Sequence, residues 1–325
     1  MSFQSYQPLR SKILPKEVLL RLNEPKPIVA IKDTFISWLI ILSSWSLVAY
    51  FPHWFVVLLV VPIIGSQYYA LHIIGHDGLH RRLFKSNRNN DLFANCFIYA
   101  PIFAITRLNR VNHMVHHRET STLEDPDRHK YTHNGKTDRV GFVLFLAGLA
   151  NLIPTLKNIF KPDNSKISKS EARESNKRTL SETLLIIVWQ ITIFVGLTYF
   201  VAWWAYPVLW LIPVYVFTFV GDLLRVFCEH SMLMDDDEAD KTLRLISYTS
   251  NPVERMFFAP HNMNLHAAHH LWPSIPYYNL PEADKAIREC SMKDNFYYRS
   301  SYLEYIFNYA KRYLSNTKCG DKHEI

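Results

Sequence analysis

Two stretches of this 325-residue chain contain no Asp, Glu, Lys or Arg: Thr34–Leu71 and Thr183–Gly221. The hydrocarbon core of a bilayer, about 30 Å thick, is crossed by about 20 helical residues rising about 1.5 Å each. Each stretch is long enough for two crossings and too long for one. Each is also broken near its middle, at Pro52-His53 and at Ala205-Tyr206-Pro207, where proline suits a tight reversal. The pattern predicts four spans near 33–51, 54–75, 183–204 and 207–228. Trp54, Tyr68, Tyr69, Trp203, Trp204 and Tyr206 crowd the span ends, as in an interfacial aromatic belt. Two buried hairpins of a soluble protein would also be charge-free, but helices this long and apolar on every face are uncommon outside lipid.

The 36 Lys and Arg divide as six in residues 1–32, eighteen in 76–182 and twelve in 225–325. The positive-inside rule then puts both termini and the central segment in the cytoplasm. The expected fold is an all-α integral membrane protein, with four transmembrane helices as two hairpins and a cytoplasmic helical cap. Its parts are a cytoplasmic N-terminal segment (1–32), a first hairpin (33–75), a central cytoplasmic region (76–182), a second hairpin (183–228) and the cap (229–325). Residues 1–32 have no apolar core or small-residue cleavage site, so no removable signal peptide is expected. The shorter apolar runs Leu92–Leu108 and Val140–Leu156 read as helices lying in the interface or half-buried under the spans. Residues 161–179 read as a polar linker, and Asp235, Asp236, Asp237, Glu238 and Asp240 as a solvated loop. The balance of +7 is mild, and no nucleic-acid partner is expected. The four Cys form no CxxC pair, which argues against a zinc ribbon, a thioredoxin motif or a disulfide scaffold.

The unusual component is 15 His against 9 Gly. His72, His76 and His80 fall at i, i+4, i+8 in LHIIGHDGLH and share one face of a helix leaving the second span. His113, His116 and His117, and again His266, His269 and His270, form HxxHH groups, and His230 stands at the end of the fourth span. On a helix such spacing aims imidazoles at one point, as a metal requires. The groups meet on one membrane face only if an even number of spans separates them, which two hairpins provide. Eight to ten imidazoles exceed the needs of one ion and suggest two, each with an open position. Imidazole alone does not choose iron over zinc, but two adjacent His-held metals at a membrane surface suit O₂ activation. Asp77, Asp125, Asp127 and Glu229 are candidates to accept imidazole N–H bonds and fix ring orientation.

At these residues the chain resembles the membrane fatty acid desaturase superfamily, which carries HxxxH, HxxHH and HxxHH boxes in this order around two hairpins. The similarity covers roughly residues 35–285. GHDGLH looks like the first box, with His76 and His80 as ligands; His72 is extra to the pattern, a ligand or a residue behind one. The run HNMNLHAAHHLWPSIPYYNLP is similar to the third box of the rhizobitoxine-type desaturase-like branch, as is RxxxEH around Arg225, Glu229 and His230. The resemblance implies iron ligation by His76, His80, His113, His116, His117, His230, His266, His269 and His270. It also implies that Asn264 reaches a metal through water. Two ferrous ions with O₂ as co-substrate would then remove two hydrogens from an unactivated acyl chain. No haem-binding HPGG segment is present, so the resemblance implies a separate electron donor, such as ferredoxin or a b-type cytochrome. Its substrate would be an acyl lipid or another long apolar molecule. Hydroxylases and ketolases acting on lipids or carotenoids share such boxes. A His-rich metal transporter would instead place ionisable residues along the spans; the two charge-free runs have no Asp or Glu, and Asp222 lies near the cytoplasmic end of the fourth span.

Overall fold

The computed structural model describes residues 7–120, 122, 124–131, 139–150, 178–231 and 245–316. Residues 161–177 of the expected linker 161–179 and the acidic loop at 235–240 lie outside the described residues. Along the chain run α1 (Gln7–Ile13), α2 (Lys16–Leu22), α3 (Pro27–Tyr50), α4 (Trp54–Leu79), α5 (Asn87–Ala94) and α6 (Thr106–Glu119). They are followed by α7 (Arg128–Tyr131), α8 (Arg139–Leu146), α9 (Leu180–Phe200) and α10 (Pro207–His230). The last part holds α11 (Pro252–Phe258), α12 (His266–Leu271), α13 (Leu280–Glu289) and α14 (Tyr302–Asn316). The short strands β1 (Ser247–Tyr248) and β2 (Tyr298–Arg299) pair in parallel, Ser247 opposite Tyr298.

Helices α3, α4, α9 and α10 are long and apolar enough to cross a membrane. They start and stop where local chemistry allows. Pro27 opens α3 at a first-turn position, where its missing N–H costs nothing. Thr179 and Glu182 form a reciprocal capping box on α9. Helices α3, α4 and α10 overrun the expected spans by up to six residues, α3 beginning ahead of Lys32 and Asp33 and α4 continuing into the first histidine box, whereas α9 begins three residues early and ends four short of residue 204.

Helix α4 is the central post. On α3, Ala30, Thr34, Ser37, Ile41, Ser44 and Val48 form a buried stripe of three- and four-residue steps, which packs along α4. On its other side α4 meets α10, where Tyr68 stands edge-on to Trp210 at 4.3 Å. Close approach is possible because residue 65 is glycine: a Cβ there would lie 2.0 Å from the Phe217 ring. The outward faces of α3 and α9 stay apolar and exposed, with Phe35, Leu39 and Leu42 on one and Ile187, Ile191 and Val195 on the other. A groove of 920 Å³ runs between these two helices, and none of the histidines lines it.

The run Leu92–Leu108 is not one straight helix. Helical turns from Asn87 to Ile102 meet α6 at 93°, with Phe103 in the left-handed region at φ 63°. Asn95 Oδ1 staples the bend by accepting from Thr106 N at 2.8 Å and Thr106 Oγ1 at 2.7 Å. Of Val140–Leu156, residues 140–146 belong to α8 and 151–156 lie outside the described residues. The N-terminal helices pack on the last third of the chain, Ile13, Leu14 and Leu22 joining Leu271, Ile275 and Ile287 in one apolar cluster.

Candidate metal centre

Four helices bring nine imidazoles together. His76 lies in the last turn of α4 and His80 just beyond it; α6 supplies His113, His116 and His117; α10 ends on His230; α12 carries His266, His269 and His270. Burial of this end of α4 follows from Gly75 and Gly78. A Cβ on Gly75 would meet Ile98 at 2.8 Å, and one on Gly78 would meet Ala94 at 3.1 Å.

The rings sort into two adjoining sets. His76, His80, His113, His117 and His269 have ligand atoms within 4.8 Å of one another, and so do His116, His230 and His270. His266 joins the second set, its Nε2 2.9 Å from that of His230. Neither HxxHH group aims all three rings at one point, contrary to the simplest reading of the spacing. Residues i and i+4 diverge by about 40° around a helix, whereas i+3 and i+4 diverge by about 100°. His113 and His117 therefore face the first set and His116 the second, while His269 faces the first and His266 and His270 the second. Neighbouring residues bridge the sets, and the His117 and His270 rings are 4.2 Å apart.

The contacts suit a metal better than hydrogen bonds. Nε2 atoms run in a chain from His80 to His113 (2.9 Å), His113 to His117 (3.0 Å) and His117 to His269 (3.1 Å). A neutral imidazole nitrogen either carries a proton or offers a lone pair, so no choice of tautomers gives this chain three well-formed hydrogen bonds. Nitrogens about 2.0–2.1 Å from a metal lie about 2.9 Å apart at right angles and about 3.4 Å apart at the tetrahedral angle. The observed spacings lie nearer right-angled edges than tetrahedral ones, and the set has five donors, so it fits an ion that takes more than four ligands. Nδ1 atoms of His76, His117 and His269 are buried without a hydrogen-bond partner among the described residues.

Burial also fixes the protonation state. Desolvation pushes His80 down to about 3, with Arg82 and Arg110 adding to the effect. The same burial, followed by mutual repulsion among the rings, holds His113, His117, His266, His269 and His270 well below the usual imidazole value. These rings are neutral at pH 7, the state in which imidazole binds a metal.

Two of the four candidate carboxylates orient rings. Both oxygens of Asp125 lie within 3.0 Å of His116 Nδ1, and Tyr131 donates its hydroxyl to Asp125 at 2.6 Å. Burial raises the Asp125 carboxyl, but the His116 and Tyr131 contacts outweigh it and hold the group below the usual carboxylate range. Glu229 receives Arg225 Nη1 at 3.0 Å and the Tyr302 hydroxyl at 3.0 Å. Its Oε2 also lies 3.0 Å from His266 Nδ1, within ion-pair reach but off hydrogen-bond alignment.

The other two carboxylates are committed elsewhere. Asp77 points away from the rings and accepts the backbone N–H of Tyr277 at 2.7 Å, and Asp127 pairs with Lys130 at 3.3 Å. His72 joins neither set; its Nε2 is 3.9 Å from Asp222, between Tyr69 and Tyr99. Asn264 donates to the Tyr248 carbonyl at 2.7 Å, leaving a buried Oδ1 without a partner among the described residues. Tyr131 and Tyr302, which steady the ring-orienting carboxylates, carry no spacing signal in the sequence. Lys130 is likewise unmarked there; it reaches Asp222 at 3.1 Å, and Asp222 meets Arg225 at 3.1 Å.

Comparison with known proteins agrees with this geometry. An sn-1 acyl-lipid omega-3 desaturase (ferredoxin) of Nostoc sp. (strain 36) is 24% identical over 266 residues, 77% of this chain and 72% of the relative. An sn-1 oleoyl-lipid 12-desaturase of Arthrospira platensis is 24% identical over 78% of this chain and 76% of its own length. A dihydrorhizobitoxine desaturase of Bradyrhizobium elkanii is 26% identical over 75% and 71%. The family model described as fatty acid desaturase matches residues 52–302, a stretch containing all nine clustered histidines. The chain is thus an oxidoreductase and belongs to the fatty acid desaturase family.

Proposed function

We propose that this chain is an integral-membrane, O₂-dependent acyl-lipid desaturase with two histidine-held irons, its termini and site on the cytoplasmic side. The observation that carries the reading is the pair of adjoining imidazole sets, with His116–His117 and His269–His270 each giving one ring to either side. His76, His80, His113, His117 and His269 would hold one ion, and His116, His230, His266 and His270 the other. Membrane insertion is supported by the apolar outward faces of α3 and α9, which only hydrocarbon covers at little cost. The cytoplasmic assignment rests on Lys and Arg falling outside the charge-free runs. Relatives that act on acyl lipids, one of them with ferredoxin, support an acyl-lipid substrate and a separate donor such as ferredoxin or a b-type cytochrome.

When bound, the irons supply the O₂ chemistry that takes hydrogen from an unactivated C–H bond. The protein's part is to hold, orient and dry the site. Its imidazoles are kept neutral by burial, so their lone pairs are free at pH 7. Asp125 fixes His116 with Nδ1–H toward the carboxylate and Nε2 toward its set. Glu229, steadied by Arg225 and Tyr302, stands behind His266 at ion-pair distance without an aligned hydrogen bond. Seven of the nine rings are buried, which excludes bulk water. Asn264 Oδ1 is a buried acceptor that a water at the site would satisfy.

The test is lipid profiling of a host expressing the chain beside a His117→Ala or His270→Ala variant, with metal analysis of both proteins. The expected result is about two irons per chain and a new double bond that the variants do not make. Stoichiometric zinc without iron, or an unchanged product in either variant, would overturn the reading.

A further inference from the structure

Among the nine imidazoles only His80 and His113 are half-buried, and His80 lines a polar pocket of 560 Å³ that opens to solvent. Arg81, Arg82 and Lys85 from the turn after α4 share that lining with Asn23 and Glu24 from the α2–α3 connection. Arg81 is held in the left-handed region at φ 58° and is exposed. Its guanidinium and that of Arg82 form no hydrogen bond or ion pair among the described residues, and Arg82 Nε is buried without a partner there. Glu24 is already matched by Lys85 at 2.9 Å. The lining thus sets Arg81, Arg82 and Lys85 against the one lining carboxylate, Glu24, beside an imidazole of the five-member set, with Asp91 and Asp77 within coulombic reach of Arg81 and Arg82 from outside it.

From this we infer that the Arg81–Arg82–Lys85 pocket is the docking site of an acidic one-electron carrier protein, which passes electrons to the metal set at His80. The inference rests on the desaturase reading, because removing two hydrogens with O₂ requires two further electrons from outside the chain. Each encounter transfers one electron, and the carrier departs oxidised by one; two encounters complete the supply. Opposite charge on the carrier steers its approach. A lipid headgroup fits less well. Unactivated C–H bonds lie several carbons from an ester, whereas this pocket touches a ring of the metal set itself.

The test uses the full chain in uncharged phosphatidylcholine nanodiscs, with a plant-type ferredoxin as probe. Binding is measured on metal-free protein, and stopped-flow reduction by ferredoxin and by dithionite on iron-loaded protein. In the double variant Arg81→Glu/Lys85→Glu, affinity at low salt is expected to fall about tenfold or more, with a flatter salt dependence. Lys293→Glu, at an exposed site outside the pocket, serves as the control. The ratio of ferredoxin to dithionite reduction rates falls with affinity, and carbodiimide links carrier carboxylates to Lys85. Wild-type binding and an unchanged rate ratio in the double variant would overturn the docking site. So would loss of inorganic phosphate binding in that variant with ferredoxin binding intact, which would mark a small-anion site instead. If neither ferredoxin nor dithionite reduces iron-loaded wild type, the desaturase reading itself fails.

Discussion

Asp125 offers the sharpest test of how the second imidazole set is held. Its side chain is fully buried, facing a His116 ring that is 4% exposed, and it receives His116 Nδ1, the Tyr131 hydroxyl and the Asp127 N–H at 2.9 Å. Asp125→Asn keeps the shape and removes the charge. An amide oxygen still accepts from His116, but the bond loses its ionic part and the amide NH₂ must face a second donor. Losing a carboxylate behind a metal-bound His costs about 10–100-fold in metal affinity, or about 1.4–2.7 kcal/mol. Asp125→Ala would strand two buried donors at about 1–3 kcal/mol each and confound binding with unfolding, so the asparagine variant is the informative one. The assay is iron retained after equilibration with graded chelator, read beside thermal unfolding of the metal-free protein. Asp125→Asn is expected to lose one of two irons at about 10–100-fold lower chelator strength, with the unfolding midpoint little moved. Tyr131→Phe, which removes only the outer hydrogen bond, should cost about 1 kcal/mol and keep both irons. Wild-type chelator resistance in Asp125→Asn would refute the role of this carboxylate.

Three further outcomes follow from the packing and charge. Glu229→Gln breaks a buried pair with Arg225 and should destabilise the protein by about 3–5 kcal/mol, measured by denaturant or thermal unfolding in detergent; an unmoved midpoint would count against it. Gly65→Ala drives a methyl group into the Phe217 ring and should cost about 1–3 kcal/mol, with partial recovery when Phe217→Leu is added. Metal-free protein should lose stability on acidification. His80 at about 3, with the other depressed rings, binds fewer protons folded than unfolded, where imidazole titrates near 6.5. Stability present above about pH 6.5 is therefore lost on the way down toward pH 3, by about 1.4 kcal/mol per pH unit for each such ring. A flat unfolding midpoint between pH 7 and pH 4 would contradict this.

Much of the molecule was legible in the sequence because its strongest signals are local. A run without charge marks a helix that must lie in apolar surroundings, and α3, α4, α9 and α10 fall on the two runs. Histidines three and four apart mark a helix face, and all nine expected ligands converge. The division of each HxxHH group between two sets was not legible, because spacing gives the angle between rings but not which neighbouring rings each one meets. Neither was the fate of the carboxylates. Asp77 and Glu229 each adjoin a ligand in sequence, yet the first holds a loop 200 residues away and the second backs a ring. Tyr131 and Tyr302 act through contacts that only the folded chain defines. Pro101 marks an interruption in the run Leu92–Leu108, but the right-angled bend at Phe103 was not legible, because it is fixed by the contact of Asn95 with Thr106, which only the folded chain defines.

The contact between Asp77 and the Tyr277 backbone bears on how the enzyme is assembled. Asp77 adjoins His76, and Tyr277 lies seven residues past His270, so this one bond ties the first histidine box to the third without involving a ring. Arg110 adds a second tie, capping the carbonyls of Gly78 and Leu79 from the helix that carries the middle box. These two ties join the three histidine boxes through oxygen and nitrogen atoms that are not ring nitrogens. On the proposed di-iron reading, protein made without iron would therefore already hold its boxes together, and adding iron to it would restore activity without new synthesis.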